Sequence, residues 1–436
     1  MRMNLKFIWF VLGLGYKLQV VASLSITEIL VLVTAPILFF KDLKFMQRDG
    51  IMPYFILSVF VIIGCIIGSI ANYTESAFVL RGLSVTCLVS CSIIVSHWLL
   101  RHDPEGFKWF VLGLPVSAII STFYFKSSVE MAMLGESSEE IMAGPLFWIS
   151  RLVPFILAPT KGWYLHVPGV VNIVAPLVAS VFAMLSSVSG RSAALGSLAF
   201  AAMVIVGGKT QRRMRWISRH FWLLMVGGVF FVMVAYFSYK CVAANGYLGE
   251  EATKKYEKQT KWGTGGIGRL ILGGRGDSFI GLLACRDKPI IGWGPWPKDK
   301  NGYTEEFITR FGTYDDVVDY QQACIVLARY GIMERRLGCH SHITEFWAWY
   351  GIFGLIFILY SSFIILRYLK QDVAAVPQWF AWLACSVPGM FWAILFSPFA
   401  ERFAFPLFVV ACLMARAVRK GSFVLPGKMI KEIRGG

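Results

Sequence analysis

The chain alternates between long apolar runs and short polar segments, with one much longer polar segment in its second half. The apolar runs are close to twenty residues, the length that an α-helix needs to cross a bilayer. We predict spans at 5–22, 25–40, 53–71, 77–99, 107–126, 145–160, 168–186, 191–208, 219–241, 342–367, 376–396 and 401–418. The pattern therefore predicts an all-α polytopic membrane protein with about twelve transmembrane helices.

The long polar segment divides the chain into three parts. Residues 1–241 carry the first nine predicted helices, 242–341 form one large extracytoplasmic loop, and 342–436 carry the last three helices and a basic tail. We expect the loop to be partly helical. A membrane protein that exposes one large loop rich in glycine, arginine and tryptophan has room for its chemistry there, so we look for functional residues in the loop and at its edges.

Composition and charge agree with a membrane protein. Apolar residues make up 56% of the chain, and the mean hydropathy is +0.62. A net charge of +16 is also typical of nucleic-acid binding, but the basic residues gather in short segments between spans. With the N-terminus inside, the basic segments 41–50, 101–108, 209–218 and 367–372 lie inside and the large loop outside, as the positive-inside rule requires. This topology requires the segment 145–160 to cross the whole membrane, although that segment carries Arg151 and two prolines.

The termini and cysteines add little chemistry. The first apolar run is read as a retained span, since no cleavable signal peptide is evident. The nine cysteines show no zinc-binding spacing. A Cys324–Cys339 disulfide is conceivable if the loop faces an oxidising compartment, and we favour free thiols.

Two arginines lie where they could bind an anion. Arg191 follows Ser-Gly at the junction of two predicted spans on the outer side, where a snorkelling anchor is the plainer interpretation. Arg275 lies in Gly-Gly-Arg-Gly-Asp, ending at Asp277, and the block 289–294 (Pro-Ile-Ile-Gly-Trp-Gly) follows. Glycines on both sides of an arginine leave backbone N–H groups accessible, and these can help to hold a phosphate. The simpler alternatives are an Arg275–Asp277 ion pair or a solvated loop.

The large loop ends in two histidines and a carboxylate, His340, His342 and Glu345. Two histidines that are two residues apart point away from each other on a helix, so a shared metal is not expected. A lone histidine beside an apolar helix is usually structural. The position at the end of the loop favours His340 as a general base, because a neutral imidazole can accept a proton from a hydroxyl.

One carboxylate cluster remains, formed by Asp315, Asp316 and Asp319. On a helix, Asp315 and Asp319 share a face that could bind a divalent cation. A solvated helix face is the more common role for such a cluster. We therefore predict no metal site and no cofactor.

Three blocks in this order resemble the bacterial O-antigen ligase and polysaccharide polymerase family of membrane glycosyltransferases. The first runs from Asn172 through a span to Ser-Gly-Arg, ending at Arg191. The second is Arg275 followed by block 289–294, and the third is His340-Ser341 with Gly351 eleven residues after the histidine and Gly354 beyond it. Family members commonly have asparagine after the histidine, so Ser341 is a mild departure.

The resemblance implies a metal-independent, inverting transferase at the outer face of the bacterial inner membrane. Its donor would be a glycan on undecaprenyl diphosphate, and its acceptor a hydroxyl of a glycan or lipid-linked molecule. Arg191 and Arg275 match the diphosphate-binding positions and His340 the base; His342, Glu345 and Asp277 are secondary candidates. Tryptophans 293, 296, 347 and 349 could stack on sugars, although interfacial anchoring is the more common role. No nucleic acid is expected as a partner.

Proteins with several different activities share these three sequence blocks. Polymerisation of glycan repeat units is the leading hypothesis, and ligation of finished glycan to lipid A-core or to protein is the alternative. A transporter or flippase of lipid-linked sugars is more distant, since it would spread polar residues along several spans and use broken helices. In this sequence, ionisable residues are scarce inside the predicted spans and gather at their outer ends and in the loop.

Overall fold

The structure, a computed structural model, describes residues 17–19, 23–104, 219–247, 253, 276–311, 337–339, 341–372, 375–397, 399 and 402–424. Its elements are β1 (Lys17–Gln19), β2 (Ser23–Ser25), α1 (Ile26–Asp49), α2 (Met52–Ala71), α3 (Ser76–His102), α4 (Phe221–Ala244), α5 (Gly276–Asp287), α6 (Tyr303–Phe311), α7 (His342–Arg367), α8 (Pro377–Phe396) and α9 (Ala404–Lys420). A π-helical turn, Tyr368–Asp372, continues α7. Apart from one hairpin, the described part of the chain is helical, as predicted.

Six helices agree closely with the predicted spans. Helices α2, α3, α4, α7, α8 and α9 begin and end within three residues of the predicted boundaries. Helices α5 and α6 lie within the segment 242–341, which is therefore partly helical. The spans predicted at 107–126, 145–160, 168–186 and 191–208 lie outside the described residues.

Two boundaries near the N-terminus are wrong. The end of the span predicted at 5–22 contains a strand, because Lys17–Gln19 pairs antiparallel with Ser23–Ser25. The helix predicted at 25–40 runs to Asp49, so the segment 41–50 is helical rather than a basic loop. Its length is decided by its caps: Ser25 forms a capping box with Glu28, and Gly50 ends the helix in the left-handed conformation. Hydropathy alone misses the last turns because they carry charged residues.

Three described helices, α2, α3 and α7 with its π turn, are long and apolar enough to cross a membrane. Large apolar side chains are exposed along the outer faces of α1, α2 and α4. Those side chains include Val33, Ile37, Phe40, Ile63, Ile66, Ile70, Trp222, Val226 and Phe230. Exposed apolar helix faces of this extent indicate contact with lipid, so the protein is a membrane protein.

Close packing of α7 on α2 forms the centre of the described bundle. Gly64 and Gly68, four residues apart on α2, lie against the backbone of α7, where a Cβ on Gly64 would come 2.5 Å from the Tyr350 carbonyl oxygen. Such a Gly-x-x-x-Gly pair lets two helices approach closely in a bilayer. Nearer the start of α2, Tyr54 stacks on Phe357 of α7 with ring centroids 5.1 Å apart. This contact fixes the depth of α7 relative to α2.

The contacts between helix ends define two ends of the bundle. We call the end that holds α5 and the N-terminus of α7 the loop end, and the opposite one the far end. At the loop end, Arg402 lies 3.7 Å from Glu28 and Lys298 lies 3.0 Å from Glu75. At the far end, Arg48 donates through Nε to the Ser422 carbonyl (2.7 Å). The grouping agrees with the predicted alternation of spans, while the direction of insertion remains a prediction.

Candidate functional site

The N-terminus of α7 is held by its cap residue. Ser341 accepts a hydrogen bond from the Thr344 N–H (3.4 Å) and donates one to the Ile394 carbonyl at the end of α8 (2.9 Å). A serine at this position satisfies one of the free N–H groups of the first turn. The serine at position 341 therefore has a structural role: it caps α7 and joins it to α8.

His342 and Glu345 are both buried in the first turn of α7. The His342 ring is 2% exposed and packs edge-on against Phe399 and Phe405, with centroids 5.0 and 5.4 Å away. Glu345 is 6% exposed, and its Oε2 accepts a hydrogen bond from the Phe399 N–H (2.8 Å). Both side chains fasten α7 to the segment between α8 and α9, which makes them structural supports rather than groups open to a substrate.

Helix α5 lies along the first turns of α7. Gly281 packs against Thr344 and Cys339, where a Cβ would lie 3.0 Å from the Thr344 Cβ and 3.1 Å from the Cys339 Sγ. Asp277, in the first turn of α5, lies beside Gly338. A Cβ added to Gly338 would be 3.2 Å from the Asp277 carboxylate. A negative charge in the first turn is favourable for the helix dipole. The start of α5 and the chain that leads into α7 are therefore in contact.

A break in α7 joins the second and third sequence blocks. Gly351 has φ 62° and ψ −146°, and the helix is interrupted there. Block 289–294 fills the gap: the N–H groups of Trp293 and Gly294 donate to the carbonyls of Ala348 (2.6 Å) and Trp349 (3.1 Å), and the Ile352 N–H donates to Ile290 (2.9 Å). Two motifs separated by about fifty residues form one unit, because the loop satisfies backbone groups that the break leaves without helical partners.

We expect Gly351→Ala to destabilise the protein strongly. A Cβ at this position would overlap the Ile290 carbonyl oxygen, and the positive φ is unfavourable for any side chain. The combined loss is about 3 kcal/mol or more, enough to lower the unfolding midpoint by several degrees. Thermal unfolding of the purified protein in detergent, followed by tryptophan fluorescence, measures this loss.

Gly389→Ala is the matched control. Gly389 lies inside α8, and an added Cβ there meets nothing within 4 Å. Alanine favours a helix interior over glycine by about 1 kcal/mol, so this variant should unfold at the wild-type temperature or slightly above it. Equal midpoints for the Gly351 and Gly389 variants would show that the break in α7 does not need a glycine.

Tryptophans in this region are mostly structural anchors. Trp293 donates through Nε1 to the Ala284 carbonyl (2.9 Å), and Trp347 donates to the Pro289 carbonyl (2.9 Å). Trp296 contacts the Arg81 guanidinium, 4.3 Å from its ring centroid, and the Trp349 ring, with centroids 4.4 Å apart. These contacts compete with the stacking of a sugar on the Trp296 ring.

Sequence reasoning missed the contact made by Asn72. This asparagine begins a glycosylation sequon, and its side chain donates to the carbonyls of Gly68 (2.7 Å) and Gly292 (3.0 Å). Its Oδ1 accepts a hydrogen bond from Lys288, whose Nζ also lies 4.0 Å from the Trp293 ring centroid. The amide therefore fastens block 289–294 to the end of α2, and the sequence carried no signal for it beyond a polar residue between two spans.

The two thiols at the site are unreactive. Burial raises the pKa of the Cys285 thiol to about 12 and that of Cys339 well above its ordinary value, with the nearby Glu345 charge adding to the latter. Cys339 is a free thiol in the structure, and Cys324 lies outside the described residues. Neither cysteine suits nucleophilic catalysis, which requires a thiolate.

The remaining predicted site residues lie outside the part of the chain that the structure describes. They are Arg191, Arg275 and His340, the carboxylates Asp315, Asp316 and Asp319, and Cys324. Within the described residues, no group of three or more histidine, cysteine or carboxylate side chains could hold a metal ion. Of the described secondary candidates, Asp277 lies where α5 meets the chain that leads into α7, and His342 and Glu345 pack against the segment between α8 and α9.

Comparison with known proteins gives no relative for this chain. No protein-family model, no curated protein and no solved structure matches it.

Proposed function

We propose that the protein is a membrane glycosyltransferase that moves a glycan from undecaprenyl diphosphate to an acceptor hydroxyl at the outer face of the bacterial inner membrane. In this proposal Arg191 and Arg275 bind the diphosphate, whose charge grows as the glycosidic bond breaks. His340 accepts the proton of the attacking hydroxyl. The reaction needs no metal and inverts the anomeric centre.

The contact between Asp277 and Gly338 carries this proposal. Asp277 is two residues from Arg275 in the chain, and Gly338 is two residues from His340. Their packing brings the start of α5 against the chain that leads into α7. This contact supports a proposal in which a phosphate-binding arginine and a base, each two residues away from it in the sequence, act on one substrate.

The break in α7 favours transfer over transport. Broken helices in transporters use their free backbone groups to bind substrate or ions. Here the carbonyls of Ala348 and Trp349 and the N–H of Ile352 are bonded to block 289–294. Because protein fills the gap, the break has a structural role, and a flippase stays the more distant alternative.

Deleting the gene in its own host separates the two transfer reactions. Surface glycans and polyprenyl-linked sugars are compared by gel electrophoresis and mass spectrometry. Single repeat units that accumulate in place of polymer indicate the polymerase we favour. Full-length glycan retained on the lipid diphosphate indicates the ligase, and an unchanged glycan profile would reject both.

We expect activity to persist in excess EDTA. The proposed charges that stabilise the leaving diphosphate are arginines, so removal of divalent cations should leave the transfer rate within about twofold of its original value. The rate is measured with and without EDTA on washed membranes. A loss that added Mg²⁺ restores would support a cation site at Asp315, Asp316 and Asp319.

A further inference from the structure

The outward face of α1 changes from apolar to basic after Phe40. The exposed side chains before this point are apolar, and the large ones are Ile26, Leu30, Val33, Ile37 and Phe40. Residues three or four positions apart lie along one side of a helix. Directly beyond them, Lys41, Lys44 and Arg48 are exposed on the same side. We call the first set the apolar stripe and the second the basic end of α1.

The carboxylates at this end of α1 face the opposite way, into the bundle. Asp42 and Asp49 are 3% and 4% exposed. Asp49 pairs with Arg101 of α3 and lies 3.0 Å from His97 of the same helix. Asp42 lies 3.3 Å from His102, also on α3. The acids of α1 thus contact partners on α3 and do not neutralise the bases on the outward face.

The positive charges of the basic end are exposed to a partner. Neither Lys41 nor Lys44 has an ion-pair partner among the described residues. Arg48 donates to the Ser422 carbonyl, which is a neutral acceptor, so this contact leaves the charge of the guanidinium unbalanced. Cations gathered on one face without carboxylates paired to them attract an anionic partner.

The apolar stripe has the length to lie in the hydrocarbon layer of a bilayer. At about 1.5 Å per residue, Ile26 and Phe40 are about 21 Å apart along the helix axis, and the hydrocarbon layer is about 30 Å thick. Lys41 to Arg48 covers about 10 Å more, compared with about 5–8 Å for one headgroup layer. Long basic side chains near a helix end extend toward that layer. The basic end therefore lies at the depth of lipid phosphates.

A second contact marks the same level at the far end of the bundle. The Nζ of Lys370, which is exposed in the π turn after α7, lies 5.6 Å from the centroid of the Trp222 ring. Trp222 is 66% exposed at the start of α4. Tryptophan and lysine are residue types that membrane proteins use at the boundary between acyl chains and headgroups. This contact supports a headgroup layer at the far end independently of α1.

We infer that the basic end of α1 binds the headgroup of an acidic phospholipid, with Lys41 and Lys44 at its phosphate and an acyl chain along the apolar stripe. A headgroup with one net negative charge is attracted by both ammonium groups. A zwitterionic headgroup brings an ammonium of its own, which the two lysines repel. The site does not depend on the proposed transferase activity.

Native mass spectrometry of the full-length protein in detergent tests the inference. The protein is titrated with dioleoyl phosphatidylglycerol, and with dioleoyl phosphatidylcholine as a lipid that has the same chains and no net charge. We expect the first phosphatidylglycerol to bind at least about tenfold more tightly than the first phosphatidylcholine. One lysine near an anionic lipid is worth about fivefold in affinity, so Lys41→Gln combined with Lys44→Gln should weaken phosphatidylglycerol binding by at least about tenfold. Binding of phosphatidylcholine should change by less than about twofold.

Two matched double variants separate the charge at this site from net charge. Lys41→Arg with Lys44→Arg keeps both charges and should keep the preference for phosphatidylglycerol. Arg286→Gln with Lys300→Gln removes two exposed charges at the loop end and should bind both lipids as the wild type does. All these side chains are exposed, so each variant should keep the wild-type unfolding temperature in lipid-free detergent.

Three results would overturn the inference. The first is equal affinity of the wild type for the two lipids, and the second is an unchanged affinity for phosphatidylglycerol after Lys41→Gln with Lys44→Gln. The third is displacement of phosphatidylglycerol by an equal concentration of inorganic phosphate, which would identify a site for a free anion rather than for a lipid.

Discussion

Replacing His340 with alanine is expected to abolish glycan transfer while leaving the protein folded. A positioned general base contributes about 10² to 10⁴ to the rate, so the residual activity should be below about 1%. The measurement is the rate at which free undecaprenyl diphosphate appears when the purified variant is given lipid-linked glycan and acceptor. Unfolding temperature is recorded on the same samples, so that loss of fold is not mistaken for loss of the base.

His342→Phe is the control that the structure offers for this experiment. The phenyl ring can keep the edge-on contacts with Phe399 and Phe405, and the substitution removes the imidazole nitrogens. We expect near wild-type activity from this variant, because His342 is 2% exposed and packed as a core residue. An active His340→Ala beside an inactive, folded His342→Phe would assign the base to His342.

Arg275→Ala and Arg191→Ala are each expected to lower the transfer rate by at least about 100-fold. A fixed charged donor that stabilises a developing oxyanion is typically responsible for a factor of 10² to 10³. Lysine at either position should restore only part of the rate, because an ammonium keeps the charge but not the planar pair of donors that suits phosphate. Rates are measured at saturating donor and compared with the affinity for donor in the same preparations.

Arg286→Ala is the matched control for the arginine at position 275. Arg286 is at the other end of α5, 54% exposed, and paired with Asp287 (3.0 Å) and Glu306 (3.5 Å). Its substitution should leave the rate within about twofold, since exposed ion pairs are worth little. If Arg275→Ala and Arg286→Ala behave alike, Arg275 has no specific part in binding the diphosphate.

The sequence predicts the described spans well and the breaks within them poorly. The start of α7 is predictable, because a long apolar run follows a cap residue at Ser341. The break at Gly351 is not, because one glycine in an apolar run looks the same whether or not the helix continues. Only the hydrogen bonding of block 289–294 to the backbone around Gly351 distinguishes the two cases.

Asp42, Asp49 and His97, which are buried at the far end of the bundle, show why buried charge is hard to predict from hydropathy. Asp42 and Asp49 lie after the apolar part of α1, where charged residues predict an exposed loop. They are buried because α1 continues as a helix and α3 supplies His97 and Arg101 as partners. Ionisable residues are therefore buried at this end of the bundle as well. Pairing across helices is a tertiary property that the sequence pattern does not contain.

The candidate site, too, could be predicted only in part from the sequence. The order of the three blocks led to the proposed residues, and the burial of His342 and Glu345 could not be predicted from it. Their burial depends on Phe399 and Phe405, which belong to a different part of the chain. The sequence therefore indicates which polar residues lie at the start of α7, and the structure shows that His342 and Glu345 support the fold there.

Reconstitution of the purified protein tests the central proposal most directly. The protein is placed in liposomes with a glycan linked to undecaprenyl diphosphate and an acceptor glycan, and the products are analysed by mass spectrometry. We expect a new glycosidic bond together with release of free undecaprenyl diphosphate. Lipid-linked glycan that crosses the bilayer intact, with no diphosphate released, would contradict transfer and identify a transporter.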